Sequence, residues 1–260
     1  MNAPHPDWIR PEWPAPVRVQ ALITTRAGGL SQAPYASLNL GTHVGDDPQQ
    51  VAANRARLNQ VLPQAPYWLH QVHGHQVVVA GTPTAEPPPA DASISTRANT
   101  VCVVMVADCL PILLCDRRGT CVGIAHAGWR GLASGVVAQT VAALPASPNE
   151  LLAYLGPCIG PNAFEVGDEV RQAYLTLDPQ HATAFRPHPS GRWWCDLPNL
   201  ARQVLHHSGV SAIYGGQDCT VSDPERFFSY RRNGVTGRMA ALIWLTDPSA
   251  QHTMDSASLT

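Results

Sequence analysis

With 260 residues the chain is long enough for one sizeable hydrophobic core or two small ones. A charged fraction of 14% and a formal net charge of −2 create no field that would draw it to nucleic acid or anionic lipid, which leaves small neutral or anionic substrates open. No run approaches the roughly 18 apolar residues of a membrane span, Met1 to Pro16 has no apolar signal core, and the seven cysteines are an odd, scattered set. The expectation is a cytoplasmic protein with reduced thiols.

Residues 1–16 read as an extended N-terminal arm. Arg18 to Thr25 alternates apolar and polar residues and predicts a strand, running into the turn-rich Arg26-Ala27-Gly28-Gly29-Leu30-Ser31. A second loop, dense in Asn, Gly, His and Asp, runs from Pro34-Tyr35 to Gly45-Asp46-Asp47-Pro48. Helical spacing from Gln49 to Leu62 sets Val51, Ala52, Arg55, Leu58 and Val61 on adjoining faces. Trp68-Leu69 and Val77 to Val79 are short strands, Thr82 to Ala90 a proline-rich surface loop, and Ala92 to Ser95 another short strand. Val101 to Ala107, Ile112 to Asp116 and Thr120 to His126 are unbroken apolar runs, the pattern of strands buried on both faces. A helix follows from Leu132 to Leu144, then a buried strand from Leu151 to Leu155 that stops at Gly156-Pro157-Cys158-Ile159-Gly160-Pro161. Helices at Gly167 to Leu177 and Asp196 to Ser208 precede a polar turn at Arg231-Arg232-Asn233-Gly234 and a closing strand from Met239 to Leu245. Residues 247–260 read as a disordered tail. These elements predict an α/β fold, a single compact domain over residues 17–246 whose mixed β-sheet core is flanked by helices.

Three short runs carry the chemistry: Gln71-Val72-His73-Gly74, Ala107-Asp108-Cys109-Leu110-Pro111 and Ala125-His126-Ala127-Gly128-Trp129-Arg130-Gly131. Each places one metal ligand where a strand is predicted to end and a tight turn to begin. Two imidazoles and one thiolate make three protein ligands, the count for a zinc ion that keeps one position open. No CxxC or HxxxH spacing supplies a fourth. His70 and His75 are lesser candidates, His75 because His73-Gly74-His75 is a pair that copper could use. Asp108, at the turn, can swing towards the open metal position as general acid or base, or merely cap the turn.

The likeness to a known family rests on many ordered matches. They are Thr25-Arg26-x-Gly28-Gly29-x-Ser31, Pro34-Tyr35-x-Ser37-Leu38-Asn39-Leu40-Gly41, His43-Val44-Gly45-Asp46-Asp47, the three ligand runs, Gly156-Pro157-Cys158-Ile159-Gly160 and Phe228-Ser229-Tyr230-Arg231-Arg232. At these spacings the chain resembles the zinc-dependent purine nucleoside phosphorylases, the YfiH-like family formerly called laccase-domain proteins or multicopper polyphenol oxidases and also described as peptidoglycan editing factors. The resemblance implies a catalytic zinc on His73, Cys109 and His126 and a YfiH-like mixed-sheet fold. It also implies phosphorolysis of adenosine, inosine and 5′-methylthioadenosine, with adenosine deamination as a second activity.

Those activities need a phosphate held against the anomeric carbon and an activated water at the purine C6. Arg26, beside Gly28 and Gly29, is the first candidate for phosphate, with Asn39 and His43 as further donors and Arg130 as a second arginine. For each arginine the alternative is an ordinary salt bridge. Cys158 is a candidate thiol in the pocket wall, though a nucleophilic cysteine needs a base or positive field that the sequence does not fix. Glu165 is either an acid or ribose-hydroxyl acceptor, or a surface residue. The partners expected are purine nucleosides and phosphate, with no nucleic acid and no membrane, and the oligomeric state is open.

Three other readings compete. A multicopper phenol oxidase needs several His-x-His pairs, and the chain has one, although copper can occupy a His/His/Cys site more tightly than zinc. A hydrolase editing peptidoglycan precursors would use the same metal centre. A non-catalytic binding module ranks last, because three metal-ligand runs on buried strand ends have no use there.

Overall fold

The unbroken apolar runs of the chain become strands, but they are divided between two sheets that stack face to face. The computed structural model describes residues 2–81 and 86–247. Part of the proline-rich loop at 82–90 and nearly all of the predicted tail therefore lie outside the described residues.

One sheet has three antiparallel strands, with β12 (Met239–Leu245) between β1 (Val19–Ile23) and β4 (Cys102–Val106). The other has six, in the order β11 (Ala212–Gly215), β7 (Leu151–Leu155), β5 (Leu110–Asp116), β6 (Val122–Ala127), β3 (Ala92–Ser95) and β2 (Val77–Val79). It is mixed: the two outermost pairs are parallel and the inner ones antiparallel. A small sheet of β8 (Glu165–Val166), β10 (Trp193–Cys195) and β9 (Phe185–Pro187) sits apart from both. The helices are α1 (Pro48–Asn59), α2 (Trp129–Ala133), α3 (Val136–Ala143), α4 (Asp168–Leu177), α5 (Leu197–His207) and α6 (Tyr230–Asn233).

The period of two along β5 explains the missing polar alternation. Leu110, Ile112 and Leu114 pack under the helices with Val136, Val137, Leu200 and Leu205. Leu113 and Cys115 point the other way, onto Cys102, Val104, Ala241 and Ile243 of the three-stranded sheet. The outer face of that sheet, through Val103, Ala240 and Leu242, meets Leu58 and Leu62 beneath Leu38 and Leu40. Every central strand is thus buried on both faces, one expected cover being helical and the other a second sheet.

Two local differences from the sequence reading have plain causes. The helix expected over 132–144 is broken at Ser134-Gly135, where Gly135 adopts φ 97°, so α2 and α3 are separate. The N-terminal arm is fastened rather than loose: Ile9 and Ile23 exchange two backbone hydrogen bonds of 2.8 and 2.9 Å, and the Trp8 indole donates to the Ala27 carbonyl. The arm therefore covers the free edge of β1.

The loops between β1 and α1 are clamped by one side chain. Asn54, fully buried on α1, donates to Ser31 Oγ, Ser37 O and Asn39 O and accepts from the Leu30 N–H at 2.8 Å. Gly29 belongs to the same clamp, since a Cβ there would run into the Ser37 carbonyl. Asn54→Ala should lower stability by about 2–4 kcal/mol, because several buried donors and acceptors lose their partner together. Urea unfolding measures this, and a change below about 0.5 kcal/mol would mean that solvent already satisfies the loop.

Candidate metal centre and its cavity

The strand that ends at Val106 lies in the three-stranded sheet and the strand that begins at Leu110 lies in the six-stranded one. Ala107, Asp108 and Cys109 make the crossing, and Asp108 takes φ 92° to turn the chain. Cys109 thereby emerges between the layers. His126 is opposite Pro111 in the β5–β6 ladder. Its neighbours Ala125 and Ala127 face the helices, so the imidazole faces the other way, towards the three-stranded sheet. His73 sits in the loop before β2 with φ 59°. The ligand atoms of His73, Cys109 and His126 all lie within 4.8 Å of one another.

Behind the triad is Asp91, which is 0% exposed. Its Oδ1 lies 2.8 Å from His126 Nδ1 and accepts the His73 N–H at 3.0 Å. Its Oδ2 accepts the N–H groups of Val72 and Gly74 at 3.1 and 2.7 Å. With a carboxylate at Nδ1, His126 keeps its proton there and turns Nε2 towards Cys109, the arrangement that orients a histidine ligand.

The charges respond to that geometry. Burial alone would raise the Cys109 thiol, but His126 and His73 pull it down to about 6. Burial alone would lower His126, but Cys109 and Asp91 raise it to about 9. Burial likewise works against the Asp91 carboxylate, yet hydrogen bonds from His126, Gly74 and Val72 hold it below the usual carboxylate range. Two imidazole nitrogens, a thiolate and a buried carboxylate behind them are a donor set that fits a divalent, borderline-soft cation such as zinc.

Glycine permits the approach. A Cβ at Gly128 would lie 2.8 Å from Cys109 Sγ, and one at Gly131 would lie 3.0 Å from the Gly74 carbonyl. The run Gly128-Trp129-Arg130-Gly131 therefore begins α2 hard against both ligand loops.

The triad opens into a cavity of about 500 Å³. Trp129, Ile159, Phe164 and Leu197 form an apolar wall that belongs to the core of the six-stranded sheet. Gln71, His43, Arg231 and Arg238 supply polar and cationic lining, and Tyr230 stands at the mouth, 60% exposed. Gln71 is fixed by two hydrogen bonds to the Met105 main chain, 2.9 and 2.7 Å long.

Of the residues proposed from sequence, Asp108 and His43 line this cavity. The Asp108 carboxylate accepts the Thr220 hydroxyl at 2.5 Å and the Arg231 N–H at 2.7 Å. His43 is held below its ordinary pKa by burial and by Arg238, Arg55 and His70.

The remaining proposals need correction. Arg26 is outside the lining: its Nε and Nη1 are spent on the Ala36 and Pro224 carbonyls, both at 2.8 Å, and the guanidinium lies over Phe228. Asn39 is buried and clamps the loop through Gly41, Asp46 and the Arg238 N–H. Arg130 is exposed and lies over the Trp129 ring, and it is Trp129 that meets the cavity. Cys158 stands behind the wall that its neighbour Ile159 lines, and burial pushes its thiol well above the ordinary value, so it lacks the thiolate a nucleophile needs. Glu165 pairs with Arg192 at 2.8 Å in the small sheet. His70 and His75 are exposed and are not part of the triad.

Sequence reasoning missed Asp91, Gln71 and Arg238 altogether and gave Arg231 no role. Gln71 and Arg231 lay inside quoted motifs, so that signal was available. A single aspartate ahead of a short strand carried none.

Comparison with known proteins places this geometry among relatives. The family described as multi-copper polyphenol oxidoreductase laccase matches residues 20–246. A Pseudomonas aeruginosa protein named purine nucleoside phosphorylase is 53% identical over 248 residues, covering 95% of this chain and 100% of its own. The Escherichia coli purine nucleoside phosphorylase YfiH is 52% identical, covering 91% and 98%. A Neisseria meningitidis crystal structure superposes with a TM-score of 0.90 at 51% identity, covering 93% of this chain and 100% of that one. The Geobacillus stearothermophilus YlmD structure gives 0.84 at 33% identity, covering 89% and 93%.

Asp91→Asn should weaken zinc binding about 10- to 100-fold by removing the anion that orients His126. Competition against a chromophoric chelator measures this, and an unchanged affinity would make Asp91 a purely structural residue. At pH 7.5 the Cys109 thiol, near about 6, is already ionised, while His126, near about 9, still holds its extra proton. Zinc binding should therefore release about one proton at pH 7.5, and more below pH 6 as the thiol itself takes up a proton. Calorimetry in buffers of different ionisation enthalpy counts them, and no release at pH 7.5 would contradict the imidazolium–thiolate pair.

Proposed function

The chain belongs to the family described as multi-copper polyphenol oxidoreductase laccase, and on that footing we propose that it is a zinc-dependent purine nucleoside phosphorylase. Its substrates in this reading are adenosine, inosine and 5′-methylthioadenosine, and adenosine deamination is a second activity. One observation carries the reading: three metal ligands open onto a cavity that joins an aromatic, apolar wall to a cationic one.

His73, Cys109 and His126 would hold the zinc, which when bound would supply Lewis acidity at neutral pH. The chain's own residues do the rest. Trp129 and Phe164 put aromatic rings in the wall against which a purine can pack, one face of each ring carrying an arginine, and Ile159 and Leu197 keep water from it. Asp91 fixes the imidazole of His126. Asp108 lines the same end of the cavity, its turn held by the Ile159 N–H on its carbonyl at 2.9 Å. In this reading Asp108 carries the proton that the departing purine takes up.

The donor set favours zinc over copper oxidase chemistry. An oxidase of that type needs several coppers, and among the described residues one group of three His and Cys ligands qualifies. All seven cysteines are free, which suits a reducing cytoplasm. Among the described residues no helix is long and apolar enough to cross a membrane.

The test is to incubate zinc-loaded protein with inosine or adenosine, with and without phosphate, and to separate free base from nucleoside. Base release should require phosphate, and Cys109→Ala and His126→Ala should each lose both the metal and the activity. Release that ignores phosphate, or full activity in either variant, would overturn the reading. Asp108→Asn should keep its zinc and lose about 10²–10⁴-fold in turnover. A near-unchanged rate would return Asp108 to holding its turn.

A further inference from the structure

The cavity carries more positive charge than the protein neutralises. Arg55, Arg231 and Arg238 cluster at or behind its lining, and among the described residues none of the three has a carboxylate partner. Arg55 stacks over Trp68 and is brought down to about 10 by burial. Arg238 is lowered chiefly by burial, even though Cys109 and Asp108 act in the opposite sense. A desolvated guanidinium without a counter-ion is costly, and a site of this kind is completed by an anion that arrives with the substrate.

Arg238 is built to receive one. Its main-chain N–H is held by Asn39 Oδ1 at 2.9 Å, and its Nη1 is tied to the Thr236 and Gly237 carbonyls at 3.0 and 3.1 Å. The Nε and Nη2 groups, the pair that grips an oxyanion with two parallel hydrogen bonds, have no partner among the described residues. Gly41 makes room for the stem, since a Cβ there would lie 2.8 Å from Arg238 Cγ. The Asn39-Leu40-Gly41 run thus serves the anion indirectly, by placing Arg238. Arg26 and Arg232 are a useful contrast, for their guanidinium groups are consumed by main-chain carbonyls.

We infer that Arg238, flanked by Arg231 and His43, is the seat of the phosphate dianion in the proposed phosphorolysis. The inference rests on that reading for its step: a phosphate oxygen bonds to C1′ of the nucleoside as the C1′–N9 bond breaks. The electron pair stays with the base, which takes one proton, and the products are free purine and the sugar 1-phosphate. Arg238 is placed from the three-stranded sheet and its loops, while Arg231 reaches towards the apolar wall, its guanidinium 5.3 Å over the Phe164 ring and its Nη1 donating to the Glu165 carbonyl at 3.0 Å.

The experiment compares wild type, Arg238→Gln, Arg238→Lys and Arg118→Gln, all loaded with zinc and checked for metal content and folding by circular dichroism. Arg118 is an exposed arginine that faces Asp116 at 3.7 Å and controls for loss of one charge. Inorganic phosphate binding is read directly by calorimetry, and the KM values for phosphate and inosine are read separately. Arg238→Gln should raise the phosphate KM and Kd about ten- to hundredfold while shifting the inosine KM by less than about threefold. Arg238→Lys should recover part of that loss, and Arg118→Gln should match wild type. An unchanged phosphate affinity in Arg238→Gln, or an equal rise in both KM values, overturns the seat even if phosphorolysis itself is robust. If no base is released by any protein, yet phosphate binding is present in wild type and lost in Arg238→Gln, the anion seat stands and phosphorolysis is what fails.

Discussion

A single buried carboxylate organises the candidate metal centre of this molecule. Asp91 accepts three consecutive backbone N–H groups, from Val72, His73 and Gly74, and the ring nitrogen of His126. Its own carbonyl accepts the His126 N–H at 2.7 Å. Burying a carboxylate costs several kcal/mol unless its lone pairs are filled, and here they are. The return is geometric: a loop residue with positive φ and a strand residue are fixed relative to one another by a common acceptor. Without that tie His73 would be held only through its neighbours, chiefly Gln71 on the Met105 main chain.

The position of the site follows from how the two sheets share the chain. The crossing from β4 to β5 must pass between layers, and it does so at the three residues that include Asp108 and Cys109. Two glycines then allow α2 to start against the ligand loops. The cavity inherits its chemistry from this division, apolar from the helix-covered sheet and polar from the loops around the other. Thr220 and Arg231 reach in from the C-terminal part of the chain to hold Asp108, so residues far apart in sequence set one carboxylate.

Much of this was legible in the sequence, for reasons specific to each element. Strands buried on both faces announce themselves as apolar runs, and β4, β5 and β6 were read that way, with β7 read as a further buried strand and β12 as a closing one. The same double burial erases the alternation that would have shown which face meets what, so the partition into two sheets was invisible. The strands β8, β9 and β10 are two or three residues long, too short for any period to register. The ligands could be read because His and Cys at turn-flanked strand ends have little else to do in common. Arg26 misled because its neighbouring glycines resemble an anion-binding turn, whereas Gly29 is there to let the chain touch Ser37. Arg238 gave no sign, since its value comes from carbonyls and an asparagine that meet only in the folded chain.

The imidazolium–thiolate pairing at Cys109 also decides how that sulfur ages. Of the other six cysteines, burial pushes Cys102, Cys115, Cys121, Cys158 and Cys195 towards the inert thiol, while hydrogen bonds from Ser222, Gly160 and Val221 outweigh burial and lower Cys219, which no imidazolium faces. Cys109 is both ionised near neutrality and within reach of the cavity, the combination that peroxides attack. A bound cation would occupy the same lone pair, so the ligand set that could hold a metal is also the place where a metal would shield the thiolate from oxidation.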